Sequence, residues 1–229
     1  MLANIYNKLN SGIRQYGFKY YFKVKITEKI YNFKFRYFKL DYSEKIIPAS
    51  VLNELAVNKD ARLNQASPYY EIERMFSVTG MPNSDIYLLD LGCGFGKVLN
   101  WGMIYNFNKV VGIDLDQSAI DKAIANCNKL KERGYTTNFD VIAEDATTYD
   151  IPFGVNMAYV ANSFGKKTLK AVLDKLILYS KINNNKQVFI AYYIPIHCQL
   201  FSDYKEITKV FERFIKNKTE AEMAIFRIN

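Results

Sequence analysis

Asp90–Val98 reads DLGCGFGKV and follows the apolar run Ile86–Leu89, IYLL. Three glycines in five residues, set straight after a strand-like run, let the backbone turn tightly and leave its amides open to a close neighbour. Three kinds of ligand compete for such a turn. A nucleoside triphosphate loop needs GxxxxGK[ST], and here both the four-residue gap and the hydroxyl after Lys97 are missing. A dinucleotide fingerprint needs GxGxxG, whereas Gly92, Gly94 and Gly96 are spaced GxGxG and Lys97 occupies the third fingerprint position. Asp90, two residues before the first glycine, would repel a pyrophosphate and attract a ligand carrying an ammonium or sulfonium charge.

Around this turn the chain alternates. Upstream, the pattern predicts a helix over Tyr69–Thr79 behind Pro68. Downstream it predicts a helix over Lys97–Phe107, a strand in KVVGID (Lys109–Asp114), and a helix over Gln117–Arg133 with Gly134 as its C-cap. Further strands fall in FDVIAED (Phe139–Asp145), VNMAYVA (Val155–Ala161) and KQVFIAYYI (Lys186–Ile194), the last two separated by a helix over Lys166–Ile182. Such an order predicts an α/β fold: a Rossmann-like, doubly wound, mostly parallel sheet with helices on both faces. The tail breaks the rhythm. KEITKVFERFI (Lys205–Ile215), the polar loop KNKTEAE and MAIFRIN (Met223–Asn229) read as two strands joined by a turn, an antiparallel hairpin that brings the sheet to seven strands.

A chain of 229 residues, 49% of them hydrophobic, buries a full core and is read as one domain over residues 67–229 behind an extension at residues 1–66. Every apolar stretch is interrupted before 18 residues, so no spanning helix is expected. The first residues, MLANIYNKLNSG, lack the pattern of a signal peptide. Cys93, Cys127 and Cys198 are odd in number, far apart and free of any CxxC pair, which argues against a disulfide framework or a zinc site and for a reducing cytoplasm.

Charge is concentrated at one end. Residues 1–45 hold ten Lys/Arg and three Asp/Glu, a net +7 of the chain's +8, together with twelve of its 35 aromatic residues. FKYYFKVKI and YNFKFRYFKL fit a strand period and a helix period alike, and helices are favoured, with a stripe of Phe22, Ile26, Ile30, Phe33, Tyr37 and Leu40. Two readings stand side by side: the stripe docks on the main domain and the lysines are solvated, or the segment meets an anionic membrane face or a polyanionic substrate.

LLDLGCGFGKVL resembles the first motif of the class I S-adenosylmethionine-dependent methyltransferases, an acid followed by GxGxG at the end of the first strand, and the resemblance extends over most of residues 67–229. It implies S-adenosyl-L-methionine as cofactor, with Asp90, Gly92, Gly94 and Gly96 at the turn. Asp114, in VVGIDLD, matches the acid that ends the second strand and accepts from both ribose hydroxyls, and Asp116 joins the same set. A carboxylate about twenty residues beyond a glycine turn is also where a doubly wound sheet reads a ribose. Asp145 and Ala146 match the turn that meets the adenine amine, and Asn162 in YVANSFG lies where the family places acceptor-side residues. The antiparallel seventh strand belongs to the same resemblance. Within the class, NSF at Asn162–Phe164 and YYIPIH at Tyr192–His197 resemble a bacterial subgroup with NPF and YxNPxH segments, and depart from it at Ser163 and Ile194.

The chemistry so implied is an in-line displacement that needs no metal, in which the protein aligns acceptor and methyl group. Asn162 is the candidate orienter, and the candidate bases for a hydroxyl acceptor are His197, the only histidine, and Asp145. Cys93 reads as a small buried filler, and Tyr69 and Tyr70 either cover the cofactor or pack. The expected acceptor is a small molecule or a cell-surface glycan. Alternatives are a nucleic-acid or protein methyltransferase gripping its substrate with residues 1–45, a non-catalytic module that keeps the nucleoside site, and an oxidoreductase.

Overall fold

The computed structural model describes residues 17–42, 67–184, 186–214 and 221–229. Helix α1 spans Phe18–Tyr37 and α2 spans Tyr69–Val78; then follow β1 Tyr87–Leu91, α3 Lys97–Ile104, β2 Lys109–Asp114, α4 Gln117–Lys131, β3 Asn138–Ala143 and β4 Met157–Val160. The chain continues through α5 Lys166–Ile182, β5 Val188–Tyr193, β6 Ile207–Phe214 and β7 Ala221–Ile228. The boundary expected at residue 66 lies outside the described residues.

All seven strands form one sheet in the order β3-β2-β1-β4-β5-β7-β6. The first five are parallel, and β7 runs antiparallel between β5 and β6. The five inner strands are mostly apolar and buried on both sides, as a sheet covered by helices on both faces requires, while the edge strands β3 and β6 are largely exposed. Leu88, Met157, Tyr159 and Ala191 face one core, closed by α1, α2, α3 and α4. Leu89, Leu91, Ala158 and Ile190 face the other, closed by α5 through Leu169, Leu173 and Leu176.

The element boundaries move in places, for local reasons. Helix α3 stops at Ile104, short of the expected Phe107, because Asn106 turns to a left-handed φ of 58° and the Phe107 amide returns to the Gly102 carbonyl at 2.9 Å. Ala221 and Glu222, expected in the hairpin loop, begin β7 and are buried. Gly134 does end α4 with a φ of 86°, its amide donating to Lys131 and the next amide to Leu130.

The larger correction concerns α1. It is a helix, but the stripe expected to dock faces outward: Phe22, Ile26, Ile30, Phe33 and Tyr37 are exposed. The opposite face packs. Tyr31 stacks on Tyr69 at 4.8 Å between ring centroids, Phe35 meets the same ring at 4.7 Å, and Phe38 meets Tyr135 at 5.7 Å. The packed face also holds the polar anchors, Tyr20 and Glu28, and those decide between two apolar stripes of equal period. Tyr20 donates to Glu71 of α2 and to Glu222 of β7 (2.9 Å), and Arg213 of β6 pairs with Glu71 at 2.5 Å and Glu222 at 2.6 Å.

Candidate active site

The glycine turn forms where β1 gives way to α3. Gly92, Gly94 and Gly96 take φ of 84°, 51° and 74°, a region that a Cβ makes costly. A Cβ on Gly92 would also sit 2.5 Å from Ser163 Oγ, and one on Gly96 would sit 3.1 Å from the Ala123 Cβ of α4. Gly96 therefore permits the close helix approach that a dinucleotide fingerprint gives to a glycine one residue later, and Lys97 is tolerated as the first residue of α3. Cys93 fills the space above Gly112, where a Cβ would lie 2.8 Å from its Sγ, and burial pushes its thiol up. It is a filler, as its place in the loop suggested.

The turn is fixed to the end of β2. The amides of Gly92 and Cys93 both donate to the Ile113 carbonyl at 2.9 Å, and Gly94 donates to Asp114 Oδ2 at 2.9 Å. Asp114 Oδ1 accepts from the Asp116 amide at 3.0 Å. An ionised carboxylate has about four lone-pair sites, so Asp114 keeps room for two more donors. Asp116 is the N-cap of α4, accepting from the Ser118 amide at 2.8 Å, and that cap is a structural reason for an acid at this position.

Asp90 differs from both. It is 2% exposed, and among the described residues no donor or cation reaches its carboxyl. Burial, and after it the charge of Asp114, hold that carboxyl well above the usual carboxylate range. A buried carboxyl without a partner is costly unless something arrives to pair with it.

The remaining predicted residues lie on the same sheet edge. Asp145, in the turn after β3, accepts from the Thr147 amide and hydroxyl at 2.8 Å each, so its carboxylate is folded onto its own turn; Ala146 beside it is buried. Asn162 follows β4 with a left-handed φ of 52°, and among the described residues its buried Oδ1 has no hydrogen-bond partner. Asparagine tolerates that backbone; isoleucine does not, yet Ile194 after β5 has a φ of 49°, held by its amide on the Glu222 carbonyl at 2.8 Å. His197 stands just past it, ahead of the short turn Cys198–Asp203. Parallel pairing of Leu91 with Val160 and of Val160 with Tyr192 sets the glycine turn, the Asn162 loop and the His197 loop side by side at the carboxyl ends of β1, β4 and β5. That edge is where open α/β sheets bind ligands.

Several supporting residues were not foreseen. Asn126, buried in the apolar stripe of α4, donates to the Phe95 carbonyl at 3.1 Å and exchanges hydrogen bonds with both backbone groups of Asp41 at 2.9 Å. Tyr42 donates to Asn100 at 2.8 Å. Glu28 accepts from the Tyr69 amide and pairs with Lys97 at 3.6 Å, while Lys97 Nζ lies 3.8 Å above the Tyr69 ring. Tyr69 is thus a packed residue, and α1 and the residues that follow it to Asp41 are wired to the glycine turn. A polar residue inside an apolar helix stripe, as at Asn126, is the one sign of this visible in sequence.

Residues 89–165 match a family model described as a methyltransferase domain. An uncharacterized protein of Methanocaldococcus jannaschii is 25% identical over 173 residues, covering 67% of this chain and 77% of that protein. Among solved structures, a candidate methyltransferase from Escherichia coli is similar with a TM-score of 0.56 and 15% identity, covering 74% of this chain and 91% of that one. Magnesium protoporphyrin IX methyltransferase from Synechocystis, solved with bound S-adenosylmethionine, has a TM-score of 0.51 and 9% identity over 79% of this chain and 92% of its own. A dimethyladenosine transferase from Plasmodium falciparum has 0.52 and 17%, and this chain spans 62% of its length and 72% of itself is covered. At such identities the structural likeness is one of fold. The matched segment and the sheet order agree: residues 89–165 resemble a methyltransferase domain, and the seven-stranded fold is one these methyltransferase structures share.

Proposed function

We propose that the chain binds S-adenosylmethionine at the ends of β1 and β2 and transfers its methyl group to an N–H or O–H nucleophile of a small molecule or glycan presented at the ends of β4 and β5. The observation that carries this reading is a pair of groups flanking the glycine turn: the Asp90 carboxyl, buried and facing only the like charge of Asp114, and the buried Asn162 Oδ1, which has no hydrogen-bond partner among the described residues. A ligand with a positive charge and an acceptor with a polar hydrogen would satisfy one each. Free thiols at all three cysteines fit a cytoplasmic setting.

When bound, S-adenosylmethionine supplies a methyl group on a sulfonium whose departure leaves a neutral thioether. Asp90 offers negative charge to the ligand's cationic groups, in a site dry enough for that charge to count. Asp114 has the free lone pairs for the two ribose hydroxyls, and it holds Gly94 so that the turn keeps its shape. For an amine acceptor, Asn162 Oδ1 accepts one N–H hydrogen and thereby aims the nitrogen lone pair. For a hydroxyl acceptor, His197 takes the proton as the new bond to carbon forms; for an amine, the proton leaves afterwards to water. Asp145 has its carboxylate folded onto Thr147, which leaves His197 as the candidate for that role.

A thermal-shift and calorimetric screen with S-adenosylmethionine, S-adenosylhomocysteine and NAD tests the cofactor; both sulfur nucleosides raise the melting temperature and NAD does not. Radiolabelled transfer into small-molecule, glycan, RNA and protein fractions then tests the acceptor, with label in either of the last two contradicting this reading. His197→Ala lowers kcat more than it raises KM if it is the base.

A further inference from the structure

Helix α1 has two apolar faces and uses one. With Tyr31, Phe35 and Phe38 packed inward, a second stripe of Phe18, Phe22, Ile26, Ile30, Phe33 and Tyr37 is left in solvent, with Phe33 82% exposed. At 100° per residue these six lie within an arc of about 120°, and at 1.5 Å per residue they run along about 29 Å of helix. Lys19, Lys23, Lys25, Lys29 and Arg36 are exposed among and beside them. The helix's only acid, Glu28, points the other way, to Lys97 and the Tyr69 amide. The outward face therefore presents bulky apolar groups and positive charge, with no negative charge to oppose either.

We infer that this face docks on an anionic lipid bilayer, with the phenylalanines and isoleucines seated at the headgroup boundary and the lysines reaching up to the phosphates. The charge complementarity selects the occupant. A second copy of the chain would bring like charge to like. A nucleic acid would meet the lysines and stack on the aromatic rings, but it offers nothing to Ile26 and Ile30. The helix lies on the bilayer: among the described residues no helix is long and apolar enough to cross one. Because Glu28 ties α1 to Lys97 and Asn126 ties Asp41 to Phe95, a docked α1 holds the glycine turn at a fixed attitude to the lipid. The inference does not depend on the acceptor.

The test is co-sedimentation of the full chain with vesicles of phosphatidylcholine alone and vesicles containing about one-third phosphatidylglycerol, across a salt series. Wild type pellets with the anionic vesicles, less so as salt rises, and stays in the supernatant with phosphatidylcholine. A triple variant, Phe22→Ser, Ile26→Ser and Phe33→Ser, and a charge variant, Lys19→Glu, Lys23→Glu and Lys29→Glu, each lose about tenfold or more in binding, whereas Lys166→Glu on α5 does not. Circular dichroism and cofactor-induced melting shifts, unchanged in the variants, show that they are folded. Equal binding to both vesicles, or variants that bind like wild type, overturns the inference. So does a change of oligomeric state in the serine variant, which assigns the face to self-association. Tighter binding to a single-stranded RNA oligonucleotide than to the vesicles, lost with Phe33→Ser but kept with Ile26→Ser, assigns it to nucleic acid.

Discussion

Two buried carboxylates, Asp90 and Glu71, sit on the same side of the sheet and are as hidden from water as each other, at 2% and 0% exposed. Glu71 is fully accompanied: Arg213 pairs with it, Tyr20 donates to it, and Glu222 shares the same guanidinium. Asp90 has the glycine turn beside it and no partner among the described residues. The protein itself offsets the burial of charge at the first site; at the second that task falls to the proposed cofactor. On the proposed function, the contrast is one between a structural ion cluster and a ligand site.

Arg213→Met should give the largest effect, since it strands Glu71 and Glu222 together without a cation; the expected loss is about 3–5 kcal/mol in urea denaturation. Glu71→Gln should cost far less, because Arg213 keeps Glu222. Asp90→Asn should do the reverse of Arg213→Met: no loss of stability, and a fall in S-adenosylmethionine affinity of about 1.5–3 kcal/mol by calorimetry. Asp114→Ala should weaken binding by a similar or smaller amount, because it loses ribose hydrogen bonds and also frees the Gly94 amide. Smallest is Ile194→Asn, which relieves a left-handed β-branched residue and should raise stability by about 1 kcal/mol in the same denaturation assay.

Asp90 also predicts a pH dependence. Its carboxyl is raised in the folded protein by burial and by Asp114. Between the unfolded carboxylate value and that raised value the folded chain holds more protons than the unfolded one, so this group's contribution to stability falls as pH rises through the window. Asp90→Asn should remove that slope. A cationic ligand favours the ionised carboxyl, so binding should release a proton and tighten as pH rises through the same window.

The glycine turn was legible because its requirements are local. Positive φ at three glycines, an acid ahead of them and a strand–helix rhythm around them leave one compatible fold, and Gly134 as a cap follows from the same kind of evidence. The orientation of α1 was not legible, for a physical reason. Phe22, Ile26, Ile30 and Phe33 make as good a helical stripe as Tyr20, Val24, Tyr31 and Phe35, and nothing local distinguishes them. The choice is made by Glu71, Arg213 and Glu222, which meet Tyr20 from far along the chain. The support for the turn by Asn126, Ser163 and Glu28 is tertiary in the same sense. At the acceptor side, departure from the subgroup pattern at Ile194 was visible, but its left-handed backbone was not.

The most direct test is a calorimetric titration of wild type and Asp90→Asn with S-adenosylmethionine, run at a series of pH values above the usual carboxylate range, each in two buffers of different ionisation enthalpy. The account predicts one site per chain in wild type with net proton release, and in Asp90→Asn weaker binding with no proton release. Binding of equal strength in both proteins, or no binding to folded wild type, would contradict it.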